Sequence, residues 1–269
     1  MKMELFIKPV ADRLSRMLPE CRFKNSLRSL FYNALNSDFK MYVLGNGELL
    51  IKTMGVSFRV SQIPSFEAGN DLIALRGYLN GSKILPGNVV VDAGASASGI
   101  ATMCFSKMVG DAGTVIALEP DKNNFKILEQ NLRMNNIKNV VTINKGLWRN
   151  EETLVFNSGM GESSSVSFNN ESDDAKQTKI ACIDLDHLLN NLGIQKVDFI
   201  KMDIEGAEIE ALEGMKNALS RGKPSLAIAS YHFGNGKQTY LSLETSFKTM
   251  GYDVHTGHPI HLTTYARKV

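Results

Sequence analysis

Cysteine is scarce in this sequence and never paired. Cys21, Cys104 and Cys182 stand far apart and form no CxxC. That excludes a disulfide framework or a zinc knuckle read from spacing, and it suits a reducing, cytoplasmic compartment. Long apolar runs are missing too. No segment reaches the roughly 18 uninterrupted apolar residues of a membrane helix. Residues 1–20 alternate charged and apolar side chains, unlike the continuous apolar stretch of a signal peptide. Neither sign of charge dominates: 30 Lys+Arg against 28 Asp+Glu leave a net charge of +2. With no long basic run, neither nucleic acid nor a membrane is expected as a partner. No dinucleotide fingerprint of the GxGxxG type follows any strand-like segment.

What is present reads as a globular α/β chain. Its 269 residues, 43% hydrophobic and 22% charged, suffice for one domain with an N-terminal extension. Residues 1–40 read as helical. Phe6, Val10, Leu14, Met17 and Leu18 form one apolar stripe, and Leu27, Leu30, Phe31, Ala34 and Leu35 a second. Gly45-Asn46-Gly47 signals a turn, and ELLIK and VSFRVSQI around Gly55 predict a β-hairpin. Residues 67–80 read as a further helix.

From residue 88 strand and helix alternate. The strands are NVVVDAG (88–94), TVIALEP (114–120), NVVTIN (139–144), VDFIKMD (197–203) and SLAIASYHF (225–233), with YDVHTG and IHLTTYARK as a closing pair. Helices are expected at 99–109, at 121–135, after Asp203, and around Tyr240, Leu243, Phe247 and Met250. Continuous apolar strands between helices predict a parallel sheet covered on both faces. Residues 152–183 interrupt the pattern with TLVFN, SSVSF and TKIACI around a Gly/Ser/Asp-rich stretch, which predicts a small β excursion. The organisation expected is an N-terminal helical and β-hairpin extension over 1–80 and a catalytic domain over 81–269 carrying that excursion.

Ligands of open parallel sheets bind beyond the carboxyl ends of the strands. The first strand ends in Asp92-Ala93-Gly94-Ala95-Ser96, whose small residues allow close approach to a ligand. A tight strand-to-helix turn would need the same glycine. The second strand ends in Glu119-Pro120-Asp121. An acid there accepts hydrogen bonds from the two ribose hydroxyls of an adenosine ligand, while Asp121 is placed to cap the next helix and leave Glu119 for that task. S-adenosylmethionine (SAM) carries no phosphate, so a Gly-Ala-Ser-Ala-Ser loop suits it better than NAD. Gly146 and Leu147, after the third strand, are candidate backbone contacts near an adenine; Trp148 beside them could stack or cover the sheet edge. Lys201 is read as solvated or salt-bridged.

The fourth strand runs into Asp203-Ile204-Glu205-Gly206-Ala207-Glu208, with Leu212-Glu213-Gly214 a turn later. With Asp92-Ala93-Gly94-Ala95 and Glu119-Pro120, this block resembles the FkbM family of SAM-dependent methyltransferases over roughly residues 45–255. Ser96, Ser98 and Gly99 depart from the family's usual Asn and Gly spacing in the loop. The resemblance implies a Rossmann-like, seven-stranded class I methyltransferase sheet with its last strand antiparallel. It also implies methyl transfer to a hydroxyl of a sugar or other small molecule. Asp203, Glu205 and His232, which ends the fifth strand, are the candidate catalytic residues, and Asp203 also neighbours the expected sulfonium. Glu205 and Glu208 would equally well stabilise a helix N-terminus, and His232 could be structural. The same trio could bind a divalent cation, but nothing in its spacing requires one and none is expected. A small-molecule acceptor is the expected partner, and oligomeric state stays open. Two rivals remain: an NAD-linked Rossmann oxidoreductase, disfavoured by the missing fingerprint, and a non-catalytic SAM-binding module, disfavoured by Glu119 and Asp203.

Overall fold

The computed structural model describes residues 21–158, 176–234, 237–258 and 261–268. Its first elements are α1 (Arg22–Leu35), β1 (Phe39–Val43), β2 (Leu49–Thr53), β3 (Val56–Val60) and α2 (Ser65–Leu79). The alternation follows as β4 (Val89–Ala93), α3 (Ile100–Val109), β5 (Thr114–Leu118), α4 (Lys122–Met134) and β6 (Val140–Ile143). The excursion is β7 (Gly146–Leu147), β8 (Glu152–Ser158) and β9 (Lys176–Ile183), followed by α5 (Leu185–Asn191). The chain closes with β10 (Phe199–Met202), α6 (Glu208–Glu213), α7 (Lys216–Gly222), β11 (Ser225–Ala229), β12 (Phe233–Gly234), β13 (Lys237–Gln238), α8 (Thr239–Thr249), β14 (Asp253–Gly257) and β15 (Thr263–Arg267).

Seven strands form the main sheet in the order β14-β15-β11-β10-β4-β5-β6. β6, β5, β4, β10 and β11 pair in parallel, and β15 alone runs antiparallel, between β11 and β14. The first strand of the alternation, β4, lies between β5 and β10. Crossovers leave it in opposite directions, which opens a crevice at the carboxyl ends of β4 and β10.

Alternate strand residues enter two cores, because successive side chains of a strand point to opposite faces. Val90, Val115 and Phe199 pack with Leu72 of α2, Ile100 of α3 and the N-terminal strands. Val91, Ile116 and Ile200 pack with Leu188 of α5, Leu219 of α7 and Phe247 of α8. The N-terminal sheet, β1-β2-β3, thus shares its core with one face of the main sheet.

Three departures from the sequence reading have local causes. Phe39–Val43, read as the end of a helical region, is a strand, because Phe39 and Met41 are buried in its pairing with β2. The stripe expected to be buried on α1 is largely turned outward: Leu27 is 45% and Leu30 67% exposed. Tyr32 decides that orientation, since its ring sits on Gly69 of α2, where a Cβ would come within 2.5 Å of it, and its hydroxyl donates to Asn70. Helix α5 went unread, although Asp184 caps it by accepting from His187 N and Leu185, Leu188 and Leu189 are buried at helical spacing. The 1–20 stripe and SSVSF lie outside the described residues. No described helix is long and apolar enough to cross a membrane.

Candidate active site

The loop after β4 is held from beneath. Asp92, expected at the ligand, is fully buried; its carboxylate accepts from Thr102 Oγ1 at 2.6 Å and pairs with Lys201 Nζ at 3.0 Å. Lys201 is therefore salt-bridged rather than solvated. It is 4% exposed and also donates to the carbonyls of Ala93 and Gly94. Gly94 is required for a reason other than ligand clearance. Its φ is +78°, and a Cβ there would lie 1.9 Å from the Asp203 carbonyl oxygen. The adjacent strand end, not a ligand, forbids a side chain. Ala95 is buried too, its amide donating to Leu118 O.

Ser96 is where the loop reaches the crevice. Its φ is +60°, an uncommon conformation for a residue with a side chain. Its amide donates to Glu119 Oε2 at 3.1 Å, while Glu119 Oε1 accepts from Asp121 N at 3.0 Å. Asp121 does cap α4, accepting from Asn123 N and Asn124 N. Burial pushes the Glu119 carboxyl up, against the pull of the Asp121 and Ser96 amides. The backbone at Pro120 is fixed by Asn144, whose amide donates to the carbonyls of Glu119 and Pro120.

Asp71 of α2 meets the same loop and was not read from the sequence. Its carboxylate accepts from Ser98 Oγ and, at 3.2 Å, from Ser96 Oγ. Here the serines that break the family's loop pattern acquire a partner. Burial raises the Asp71 carboxyl, the two hydroxyls and the charge of Lys201 lower it, and Asp203 adds to the rise. A cavity of about 220 Å³ opens here, lined by Asp71, Ser96, Ser98, Asn70 and Asn124 among others.

Gly146 is half-buried and Leu147 buried. They pair with Cys182 and Ile183 in the β7–β9 ladder, and the Leu147 side chain is buried. Trp148 neither stacks on an open face nor covers an edge: it is 1% exposed, packs with Cys182 and Ala207, and donates from Nε1 to Glu152 at 2.9 Å.

The second half of the site lies past β10 and β11. The structure brings Asp203, Glu205 and His232 together: His232 Nε2 is 3.5 Å from Asp203 Oδ1 and 3.5 Å from Glu205 Oε2. Glu205 adopts φ +58° and is followed by Gly206 at φ +98°, so the chain turns sharply before α6. Glu208 is wholly buried. Its Oε1 accepts from the amides of Ile204 and Gly206 and lies 2.9 Å from His232 Nδ1, so the residue both caps the turn and aims the imidazole. Burial alone would pull His232 down; the hydrogen bond and charge of Glu208, with Asp203 and Glu205 nearby, more than offset it and raise it. Burial likewise would push Asp203 up, yet His261, Lys201 and His232 hold it well below the usual carboxylate range. Asp203 Oδ2 accepts from Tyr78 Oη at 2.6 Å. Tyr78 and Asp71 are seven residues apart on α2, on one face and about 10 Å from each other along the axis. One helix thus reaches both the loop after β4 and Asp203. That face, Asp71 and Tyr78 at a two-turn spacing, was the available sequence signal.

Residues 92–254 match the Methyltransferase FkbM domain. The chain belongs to the FkbM methyltransferase family. Among solved structures it is similar to the methyltransferase FkbM from Methylobacillus flagellatus, at 24% identity and a TM-score of 0.52. That likeness covers 70% of this chain and 45% of the other, so this chain spans less than half the length of that relative. It is also similar to Aeropyrum pernix fibrillarin, a structure with natively bound S-adenosyl-L-methionine, at 14% identity and a TM-score of 0.50, over 86% of this chain and 94% of that one. These likenesses place the fold with class I methyltransferases. No curated protein sequence matches the chain. Membership of a methyltransferase family makes SAM the cofactor and sets the NAD-linked reading aside. The site's chemistry fits that molecule. SAM presents two cationic groups and a diol, and the FkbM loop is flanked by the carboxylates of Asp71, Glu119 and Asp203.

Proposed function

We propose that this chain transfers the methyl group of SAM to a hydroxyl oxygen of a small molecule or sugar. The observation that supports the reading best is the meeting of Asp203, Glu205 and His232, 3.5 Å from imidazole to either carboxylate, beside the cofactor loop. Glu119 would accept from the ribose hydroxyls with the lone pairs its backbone donors leave free. Asp71, Ser96 and Ser98 would receive the ammonium end. Asp92, Gly94, Ala95, Pro120, Gly146 and Leu147 would shape that surface from below.

SAM supplies a methyl group on a sulfonium: the O–C bond forms as the C–S bond breaks, and its electron pair stays on sulfur. The protein adds alignment and a destination for the hydroxyl proton. Asp203, fixed by Tyr78, orients the hydroxyl. The Glu205–His232 pair takes the proton. Burial and the charge of Asp203 raise the Glu205 carboxyl, which brings its proton affinity closer to neutral pH.

The test is methyl transfer from tritiated SAM to a panel of polyhydroxylated small molecules, with calorimetry of S-adenosylhomocysteine (SAH) alongside. Label should appear on acceptor oxygen, and His232→Ala should lower turnover about 10²–10⁴-fold with SAH affinity unchanged. Label on an amine or on RNA, or SAH binding without any turnover, removes the hydroxyl reading.

A further inference from the structure

We propose that Asp203, Glu205 and His232 hold a divalent cation, and that this cation, at the floor of the acceptor site, is where the acceptor hydroxyl docks. The location of the acceptor rests on the function proposed above; the cation site does not.

One ligand atom from each of Asp203, Glu205 and His232 lies within 4.8 Å of the others. Ligands about 2.1 Å from a common ion are about 3.0 Å apart at an octahedral right angle and about 3.4 Å apart at a tetrahedral one. The two imidazole-to-carboxylate separations of 3.5 Å are close to that requirement.

The second observation concerns the imidazole itself. His232 is 8% exposed, and its Nε2 makes no hydrogen bond although it is buried and aimed between the two carboxylates. Its other nitrogen is committed. Nδ1 lies 2.9 Å from Glu208 Oε1, and Glu208 is fully buried and pinned by the amides of Ile204 and Gly206. A carboxylate behind an imidazole places the proton on the nearer nitrogen and presents the far lone pair outward, the outer-shell arrangement of metal-bound histidines. Asp203 is backed in the same way, through Tyr78 on Oδ2, while Oδ1 accepts only a long bond from Tyr231 Oη at 3.5 Å and lies equally near His232 Nε2.

The donors also state which ion fits. One imidazole and two carboxylates are a mixed nitrogen and oxygen set without sulfur, suited to Mn²⁺, Mg²⁺ or Zn²⁺. Three donors leave coordination positions open. A hydroxyl bound there loses its proton more readily, because the ion stabilises the alkoxide; with the ion in place Glu205 and His232 act as its ligands, and the proton passes to solvent instead of to their pair. The Glu205 side chain is 65% exposed, so the cluster is reachable from solvent.

The experiment uses the full chain, freed of metal by a chelator and titrated with Mn²⁺ alone, with free ion counted by electron paramagnetic resonance. One Mn²⁺ per chain is expected. Glu205→Gln changes an exposed side chain and should leave folding and SAH affinity intact while lowering Mn²⁺ affinity at least tenfold. Glu208→Gln should lower it about 10–100-fold through the imidazole, without removing a ligand. If the wild-type chain binds SAH but takes up no Mn²⁺, Mg²⁺ or Zn²⁺ at millimolar concentration, the cation site is wrong and the methyltransferase reading stands. If Mn²⁺ binds and Glu205→Gln does not weaken it, the ion sits elsewhere and the proposal falls. Mn²⁺ binding in a chain that fails to bind SAH would support the cation site and overturn the proposed function.

Discussion

Lys201 Nζ lies 3.0 Å from Asp92 Oδ1, with the lysine 5% and the aspartate 0% exposed at the side chain. The pair sits under the loop that follows β4, and the same ammonium holds the Gly94 carbonyl. Removing one partner of such a pair leaves a buried charge uncompensated, which costs about 3–5 kcal/mol. Lys201→Met should therefore lower the unfolding free energy from urea titration by that amount, with a lower midpoint, and adding Asp92→Asn should recover part of the loss. An unchanged midpoint in the single variant would show that the pair does not support the loop.

Gly94→Ala should fail at folding, not at binding. Its Cβ would meet the Asp203 carbonyl at 1.9 Å, in a backbone conformation of φ +78° that alanine disfavours. Loss of soluble protein or a Tm far below wild type is expected. A variant that folds normally and merely loses SAH affinity would return Gly94 to the role of ligand clearance.

Glu119→Ala should weaken SAH binding by about 1–3 kcal/mol, the worth of hydrogen bonds to a charged group. Glu119 also anchors the amides of Ser96 and Asp121, so part of the loss should appear as a lower Tm without cofactor. Equal SAH affinity by calorimetry would displace the ribose from this strand end.

The pH dependence turns on Asp71. Burial raises its carboxyl, so the folded chain binds that proton more tightly than the unfolded one. Stability from this group falls as pH rises between the ordinary carboxylate value and the raised one, and its full penalty applies above the raised value. Asp71→Asn removes the charge. Compared with wild type, the cofactor-free variant should gain Tm at about pH 8 and lose that gain towards about pH 4. It should also bind SAM more weakly, having lost its counter-charge for the ammonium. Equal destabilisation at both pH values would mark Asp71 as a purely structural partner of Ser96 and Ser98.

Tyr78→Phe tests the reach of α2. Losing the 2.6 Å bond to Asp203 should lower kcat more than it weakens SAH binding, since Tyr78 touches the acceptor-side carboxylate and not the cofactor loop. A change confined to SAH affinity would contradict that division.

The sequence by itself determined the sheet and the addresses of the chemistry. Apolar runs such as Val89-Val90-Val91 and Phe199-Ile200 bury both faces of a strand, and their alternation with amphipathic helices leaves a parallel sheet as the arrangement that covers them. Strand ends at Asp92, Glu119, Asp203 and His232 follow directly, because ligands gather at one edge of such a sheet. Which of these residues stay at the crevice was decided only in three dimensions. Asp92 and Asp203 both end strands of the same edge, yet Lys201 of the neighbouring strand draws Asp92 into the core, while Asp203 stays at the cluster with Tyr78 and His232. Asp71 and Tyr78 come from a helix before β4, and Glu208 reaches His232 across 24 residues of chain. Local pattern carries no information about such partners. Their positions depend on packing between elements distant in sequence, where a buried charge must find whatever opposite charge or donor the fold brings beside it.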